Sequence, residues 1–138
     1  MKDNFRLKIE GNLENLSYIG DFVAGCMSEF SLDAHKTFRV QMAVDEACTN
    51  IIKYGNRDFC HTINLDIICK RINNNIFVTI EDNGIHFNPL KVAPPDLNAK
   101  LEDRKVGGLG IHFIRTLMEE IKYERKSGKN VLTMVIGG

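Results

Sequence analysis

Three short motifs punctuate the apolar segments of this chain in a set order. Asp45-Glu46-Ala47-Cys48-Thr49-Asn50 lies in a stretch of helical period, Glu81-Asp82-Asn83-Gly84 closes a stretch of strand period, and Val106-Gly107-Gly108-Leu109-Gly110-Ile111 opens a second helical stretch. A fold that accepts all three must carry a buried helix with a polar pair, a strand ending in an Asp-Asn-Gly turn, and a glycine-rich helix start on one body. At 138 residues that body is expected to be a single domain, 1–138, with one core.

The periods around the motifs predict the elements. Phe5 to Glu10 alternates apolar and charged residues, which reads as a half-buried strand. Leu16, Ile19, Phe22, Val23, Cys26, Met27 and Phe30 recur at helical spacing, so 13–30 is expected to be helical with Asn12 as its N-cap. Asp33 is placed to cap a second helix that runs to about Tyr54 and stops at Gly55-Asn56. Residues 62–72 and 76–81 read as strands joined by Asn73-Asn74-Asn75, since Asn tolerates left-handed backbone angles. Residues 87–105 hold all 3 prolines and no steady period, the pattern of a functional loop or lid. Ile111, Ile114, Leu117, Met118 and Ile121 mark a third helix from Gly110. A terminal hairpin is expected from 122–126 and 130–136, turning at Ser127-Gly128-Lys129. The order β-α-α-β-β-lid-α-β-β predicts an α+β two-layer sandwich, a mostly antiparallel sheet with helices on one face.

Composition excludes some functions. The formal net charge is +0, without the basic footprint that nonspecific nucleic-acid binding needs, so no direct nucleic-acid contact is expected. No apolar run approaches the roughly 20 residues that span a bilayer, and Met1-Lys2-Asp3-Asn4 begins no signal peptide, so the expected setting is the reducing cytoplasm with no membrane contact. Cys26, Cys48, Cys60 and Cys69 lack C-x-x-C spacing and are expected to be buried thiols rather than zinc ligands or disulfides. His35, His61, His86 and His112 are scattered and are expected at the surface or in supporting positions.

Each motif suggests chemistry and also has a plainer account. Glu46 and Asn50 stand four apart and share a helix face, beside apolar Ala47, Cys48 and Ile51. A carboxylate and an amide there call for a partner, because uncompensated burial costs several kcal/mol. Mg²⁺ on phosphates would serve, with Asn offering a hard carbonyl oxygen and Glu orienting a water or accepting a hydroxyl proton. A solvated helix edge would look the same. Asp82 at a strand end can accept a hydrogen bond from an adenine amino group, and Gly84 would let backbone approach the base; Asp-Asn-Gly is also a plain turn. Gly107-Gly108-Leu109-Gly110 leaves free N–H groups at a helix start, where phosphate binds; a hinge would use the same glycines. The dinucleotide fingerprint fails, since Phe113 takes the place of its third glycine, and the Gly-Lys-Ser/Thr of a P-loop is missing.

Taken jointly, the motifs resemble the N box and the two glycine boxes of the histidine-kinase-like ATPases, the GHKL or Bergerat-fold superfamily. Phe87-Asn88-Pro89, which is similar to F-D-P, and the segments Gly107 to Tyr123 and Gly128 to Met134 resemble its anti-sigma factor and serine-protein kinase branch over essentially the whole chain. The resemblance implies ATP and Mg²⁺ as cofactors. It implies Asn50 as Mg²⁺ ligand, Glu46 as catalytic base, Asp82 with Gly84 beside it at the adenine, and Gly108, Leu109 and Gly110 at the phosphates. It implies 87–105 as the lid, Arg104 or Lys105 reaching a phosphate, and Thr133 meeting the adenine side through water. His86 and Asn88 depart from the branch, which favours a small residue or proline and then Asp at these places. The implied function is an ATP-binding anti-sigma regulatory factor that phosphorylates a serine of a small anti-sigma-factor antagonist, which competes with a sigma factor for the kinase. The alternative is an ATP-binding regulatory module without kinase activity. The resemblance also makes a homodimer plausible, and the edge strand at Phe5–Glu10 would permit it. A sensor histidine kinase would need a dimerising helix with a phosphoacceptor His ahead of the ATP domain, which this sequence lacks.

Overall fold

The computed structural model describes residues 3–55, 62–91 and 108–138. Cys60, His61, Arg104, Lys105, Gly107 and all of the expected lid beyond residue 91 lie outside the described residues. The elements are β1 (Asn4–Glu10), α1 (Leu16–Glu29), α2 (Ala34–Tyr54), β2 (Asn64–Ile72), β3 (Asn75–Asp82), α3 (Gly108–Leu117), β4 (Glu120–Lys126) and β5 (Lys129–Gly137). The five strands form one sheet in the order β1-β2-β3-β5-β4, and every neighbouring pair is antiparallel.

Local chemistry sets the element ends. Asn12 does cap, but it caps a short 3-10 turn, Leu13–Asn15, by accepting from the Asn15 N–H at 2.9 Å. The α-helix starts only at Leu16, later than the apolar pattern predicts, because Leu13 is 56% exposed and gives no buried face to a helix. Asp33 Oδ1 accepts from the Lys36 N–H at 2.8 Å and so opens α2. Gly55 closes it with a 2.8 Å bond from its N–H to the Ile51 carbonyl. Ser127 and Gly128, at φ 54° and 77°, make the tight turn between β4 and β5, where two positive φ values match the twist of the strands.

Strand alternation sorts the sheet into two faces. Leu65, Ile67 and Cys69 of β2, Ile76, Val78 and Ile80 of β3, and Leu132, Met134 and Ile136 of β5 are buried together in the core. Ile19, Val23 and Met27 of α1, Val40, Val44 and Cys48 of α2, and Ile111 and Ile114 of α3 pack against them. α2 is the middle helix, in contact with both α1 and α3. Two polar side chains share this inward register at the ends of β3 and β5: Asp82 and Asn130, which are register partners. They mark where the core opens into a cavity. Among the described residues no helix is long and apolar enough to cross a membrane.

Candidate functional site

The cavity lies between the C-terminal half of α2, the end of β3, the first turns of α3 and the β4–β5 hairpin. α2 supplies Ala47, Asn50, Ile51 and Tyr54; α3 supplies Ile111 and Ile114; Ile85, Phe87 and Pro89 follow β3; Tyr123 and Leu132 complete the wall. The walls are apolar, as a flat ring system needs, and Asp82, Asn130 and Asn50 are the polar residues set into them.

Asp82 is 4% exposed. Its Oδ1 accepts from the Gly84 N–H at 2.8 Å and from Asn130 Nδ2 at 3.0 Å. Among the described residues nothing donates to Oδ2, which leaves a buried carboxylate oxygen for a ligand's N–H. Burial pushes the Asp82 carboxyl above its ordinary value, while the bonds from Asn130 and Gly84 and the charge of Arg125 pull it back. Arg125 Nη1 also donates to the Gly84 carbonyl at 3.1 Å. Cys48, buried beneath the site, has its thiol pushed far up by burial and by the charges of Asp45 and Asp82, so it stays protonated and unreactive.

Gly84 has a different reason from close approach to a base. A Cβ there would lie 2.9 Å from Asp82 Oδ1 and 2.9 Å from the Gly55 carbonyl oxygen. The Ile85 N–H bonds that same Gly55 carbonyl at 3.0 Å. Glycine at 84 therefore lets the turn after β3 press on the end of α2, and Gly84 does not itself line the cavity.

Asn50 lines the cavity, and its side chain makes no hydrogen bond to a described residue. Glu46 lies one turn earlier on the same face, half-buried and outside the lining set. α3 begins at Gly108, two residues earlier than expected, so Gly108, Leu109 and Gly110 form the first turn, just ahead of cavity-lining Ile111. Their backbone N–H groups are the ones a helix start leaves without intrahelical partners.

Thr133 is a correction. It sits opposite Thr79 in register, with the two hydroxyls 3.5 Å apart, on the face of the sheet away from the helices. Alternation forbids it from sharing a face with Asn130 and Leu132, so the adenine-side position suggested for it is not available. Asn130, not Thr133, is the polar residue of β5 that lines the cavity. The sequence reading missed Asn130, Tyr123 and Arg125, although a signal existed. Asn130 is the one polar residue in an inward series that continues Leu132, Met134, Ile136, and Tyr123 and Arg125 continue the inward series from Ile121 on β4. Phe87 and Pro89 of the expected lid do reach the cavity, and Asn88 Oδ1 accepts from the Leu90 N–H at 2.9 Å, a turn-forming bond that an aspartate oxygen makes equally well.

The donor set suits an adenine nucleotide with Mg²⁺. A buried carboxylate oxygen faces no donor of the described chain, Asn50 offers one hard oxygen, and the N-terminal turn of α3 stands at the same cavity. Among the described residues no cluster of three His, Cys, Asp or Glu could hold a metal alone. Magnesium bound chiefly through phosphate and water oxygens needs no such cluster.

Comparison with known proteins follows the same lines. Residues 9–136 match the family described as histidine kinase-like ATPase domain. The chain is 28% identical over 134 residues to the serine-protein kinase RsbW of Bacillus mycoides, covering 94% of this chain and 82% of that protein. It is 27% identical, with the same coverage, to the serine-protein kinase RsbW of Bacillus cereus. Among solved structures, that of the RsbU and RsbW domains of Rv1364c from Mycobacterium tuberculosis superposes with a TM-score of 0.69 at 10% identity, over 97% of this chain and 32% of that one. The histidine kinase domain of the blue-light activated kinase EL346 from Erythrobacter litoralis superposes with a TM-score of 0.56 at 14% identity, over 88% of this chain and 60% of that one. Strand order, the apolar cavity with Asp82 in its wall and the match over nearly the full length all lead to one assignment: the chain belongs to the histidine kinase-like ATPase domain family.

Proposed function

We propose that residues 1–138 act as a single ATP-binding domain with protein serine kinase activity, directed at a small anti-sigma-factor antagonist that competes with a sigma factor for this chain. The observation that carries the reading is Asp82: a buried carboxylate in an apolar cavity, with one oxygen held by the chain and the other left to a ligand. An adenine amino group fits that oxygen, and the flat apolar walls fit its ring. The serine-protein kinase relatives support the direction of transfer to a serine hydroxyl.

In this reading Asp82 fixes the base, and the N–H groups at Gly108, Leu109 and Gly110 take the phosphates. Asn50 would hold Mg²⁺, which supplies charge neutralisation on the phosphates when bound. Glu46, one turn beyond Asn50, accepts the proton of the serine hydroxyl. The serine oxygen bonds to the γ-phosphorus as the bond to the β–γ bridging oxygen breaks, and ADP leaves. Arg104 or Lys105 would reach a phosphate.

A second reading has its own support. Glu46 does not line the cavity, which is compatible with an ATP-binding module that regulates a partner without transferring phosphate. The test is phosphate transfer from labelled ATP to a small anti-sigma-factor antagonist protein. Wild type is expected to label a serine, and Glu46→Gln to lose more than a hundredfold in rate while still binding ATP. Transfer unchanged in Glu46→Gln overturns the assignment of the base. Tight ATP binding with no phosphate on any partner serine supports the regulatory module.

A further inference from the structure

Cys26 of α1 and Cys69 of β2 meet beneath the β1 edge of the sheet. Register sets Cys69 opposite Phe5 of β1, and both side chains pack on the helix side, in or against the core. Phe30 packs on Phe5, with ring centroids 5.6 Å apart. Cys26 stands one helical turn before Phe30, whose N–H bonds the Cys26 carbonyl at 3.0 Å. The turn that lays Phe30 on Phe5 therefore lays Cys26 on Cys69, and the two thiols share a side-chain hydrogen bond. That bond is unequal. Cys69, tied to Cys26 and buried, has its thiol held far above the ordinary value. The bond from Cys69 draws the Cys26 thiol below that value, against the opposing effect of burial. Cys69 donates, Cys26 accepts, and Cys26 is the sulfur that ionises first.

We propose that Cys26 and Cys69 form a redox modification site, a dithiol that hydrogen peroxide converts to a disulfide clamping α1 to β2. The Cys26 thiolate attacks one peroxide oxygen, the O–O bond breaks and hydroxide leaves, which makes a sulfenic acid at Cys26. The Cys69 sulfur then attacks the Cys26 sulfur. The S–S bond forms, the S–O bond breaks, and the Cys69 proton leaves with that oxygen as water. In total two thiols lose two electrons and one peroxide becomes two waters. A dithiol reductant reverses the step by exchange. In the closed fold Cys26 is 3% exposed and Cys69 is 0% exposed. β1 pairs with β2 alone, and α1 packs chiefly on α2 among the helices, so this corner opens before the middle of the sheet does. Opening of β1 and α1 therefore gates the reaction. No residue lining the nucleotide cavity belongs to α1, β1 or β2, so the clamp stabilises the fold without altering that cavity, and it does not depend on the nucleotide reading.

The test treats the full chain with hydrogen peroxide and maps its peptides by mass spectrometry without reduction. A peptide pair joined through Cys26 and Cys69 within one chain is expected, with two of the 4 thiols lost to titration after denaturation. The oxidised chain should melt about 10 °C above the reduced one, as closing a loop of this size implies, and dithiothreitol should return it. Cys26→Ala and Cys69→Ala should each lose both the cross-link and the shift. Arg6→Ala, which loosens β1, should speed cross-linking several-fold; it and the wild-type map decide the matter if a cysteine variant does not fold. Four thiols surviving peroxide, a sulfinic acid at Cys26 with no cross-link, or bridges that run only through Cys48 or Cys60 or between chains would each overturn the site. A cross-linked chain that melts no higher overturns the clamp, and a rate unmoved by Arg6→Ala overturns the gating.

Discussion

Asp82 lowers stability in exchange for a ligand contact. Its carboxyl is raised above the ordinary value of 3.8, with burial as the main cause. The folded state therefore holds this proton to higher pH than the unfolded chain does. Between the unfolded value and the raised folded value, stability from this group falls as pH rises, and the penalty persists at neutral pH. Asp82→Asn should accordingly raise the melting temperature at pH 7. With its oxygen kept by Gly84 and Asn130, the new NH₂ would meet the amino group of adenine donor to donor, and ATP affinity should fall about a hundredfold or more. Calorimetry paired with thermal melts reads both outcomes in one preparation. Gly84 sits beside it under steric control. Gly84→Ala drives a methyl to 2.9 Å from the Gly55 carbonyl oxygen, which is backbone and cannot turn aside. A loss of about 1–3 kcal/mol is expected in urea unfolding, with the turn and Asp82 displaced together. The aspartate was legible in the sequence, because an Asp-Asn-Gly turn after an apolar strand is a local pattern. The need for glycine was legible too, but its reason was not, since the obstructing atom belongs to residue 55.

At the scale of elements, β1 is the strand with most to lose. It is an edge strand, paired with β2 alone. Arg6 reaches across to Asp66 through a bidentate pair, with Nε donating to Oδ1 at 2.8 Å and Nη2 to Oδ2. The Arg6 hydrogen bond leads the causes that hold the Asp66 carboxyl below its usual range. Its stabilisation is present above the ordinary carboxylate value and is lost as pH falls through the lowered folded value. Arg6→Ala should therefore flatten the acid limb of the stability curve below about pH 4 and speed amide exchange in Phe5–Glu10 more than in β3. Equal exchange rates in variant and wild type would remove this pair from the account. The types and order of these elements were readable because each rests on a local period and on capping residues such as Asp33, Gly55 and Gly128. Their edges moved where burial overruled pattern, as at Leu13, whose exposure delays α1 to Leu16.

For the molecule as a whole, the site is a seam where α2, α3 and three strands meet, so occupancy should stabilise the entire fold. ATP at one hundred times its dissociation constant would add about 2.7 kcal/mol, a rise on the order of 10 °C or less in melting temperature for a chain of this size. The shift should vanish in Asp82→Asn, and its absence in wild type would remove the nucleotide from the site. By itself the sequence determined the helices and strands, their order, the two-layer arrangement, and the candidates Glu46, Asn50, Asp82 and the Gly108–Gly110 turn, because periods, caps and turn residues act over a few positions. Tertiary structure alone decided that β5 inserts between β3 and β4, and that Asp82 consequently faces Asn130 across 48 residues of chain. That register places Asn130 in the cavity and sends Thr133 to the opposite face of the sheet. Side chains alternate strictly along a strand, but which neighbour each one meets depends on pairing between distant segments, and no local pattern carries that information.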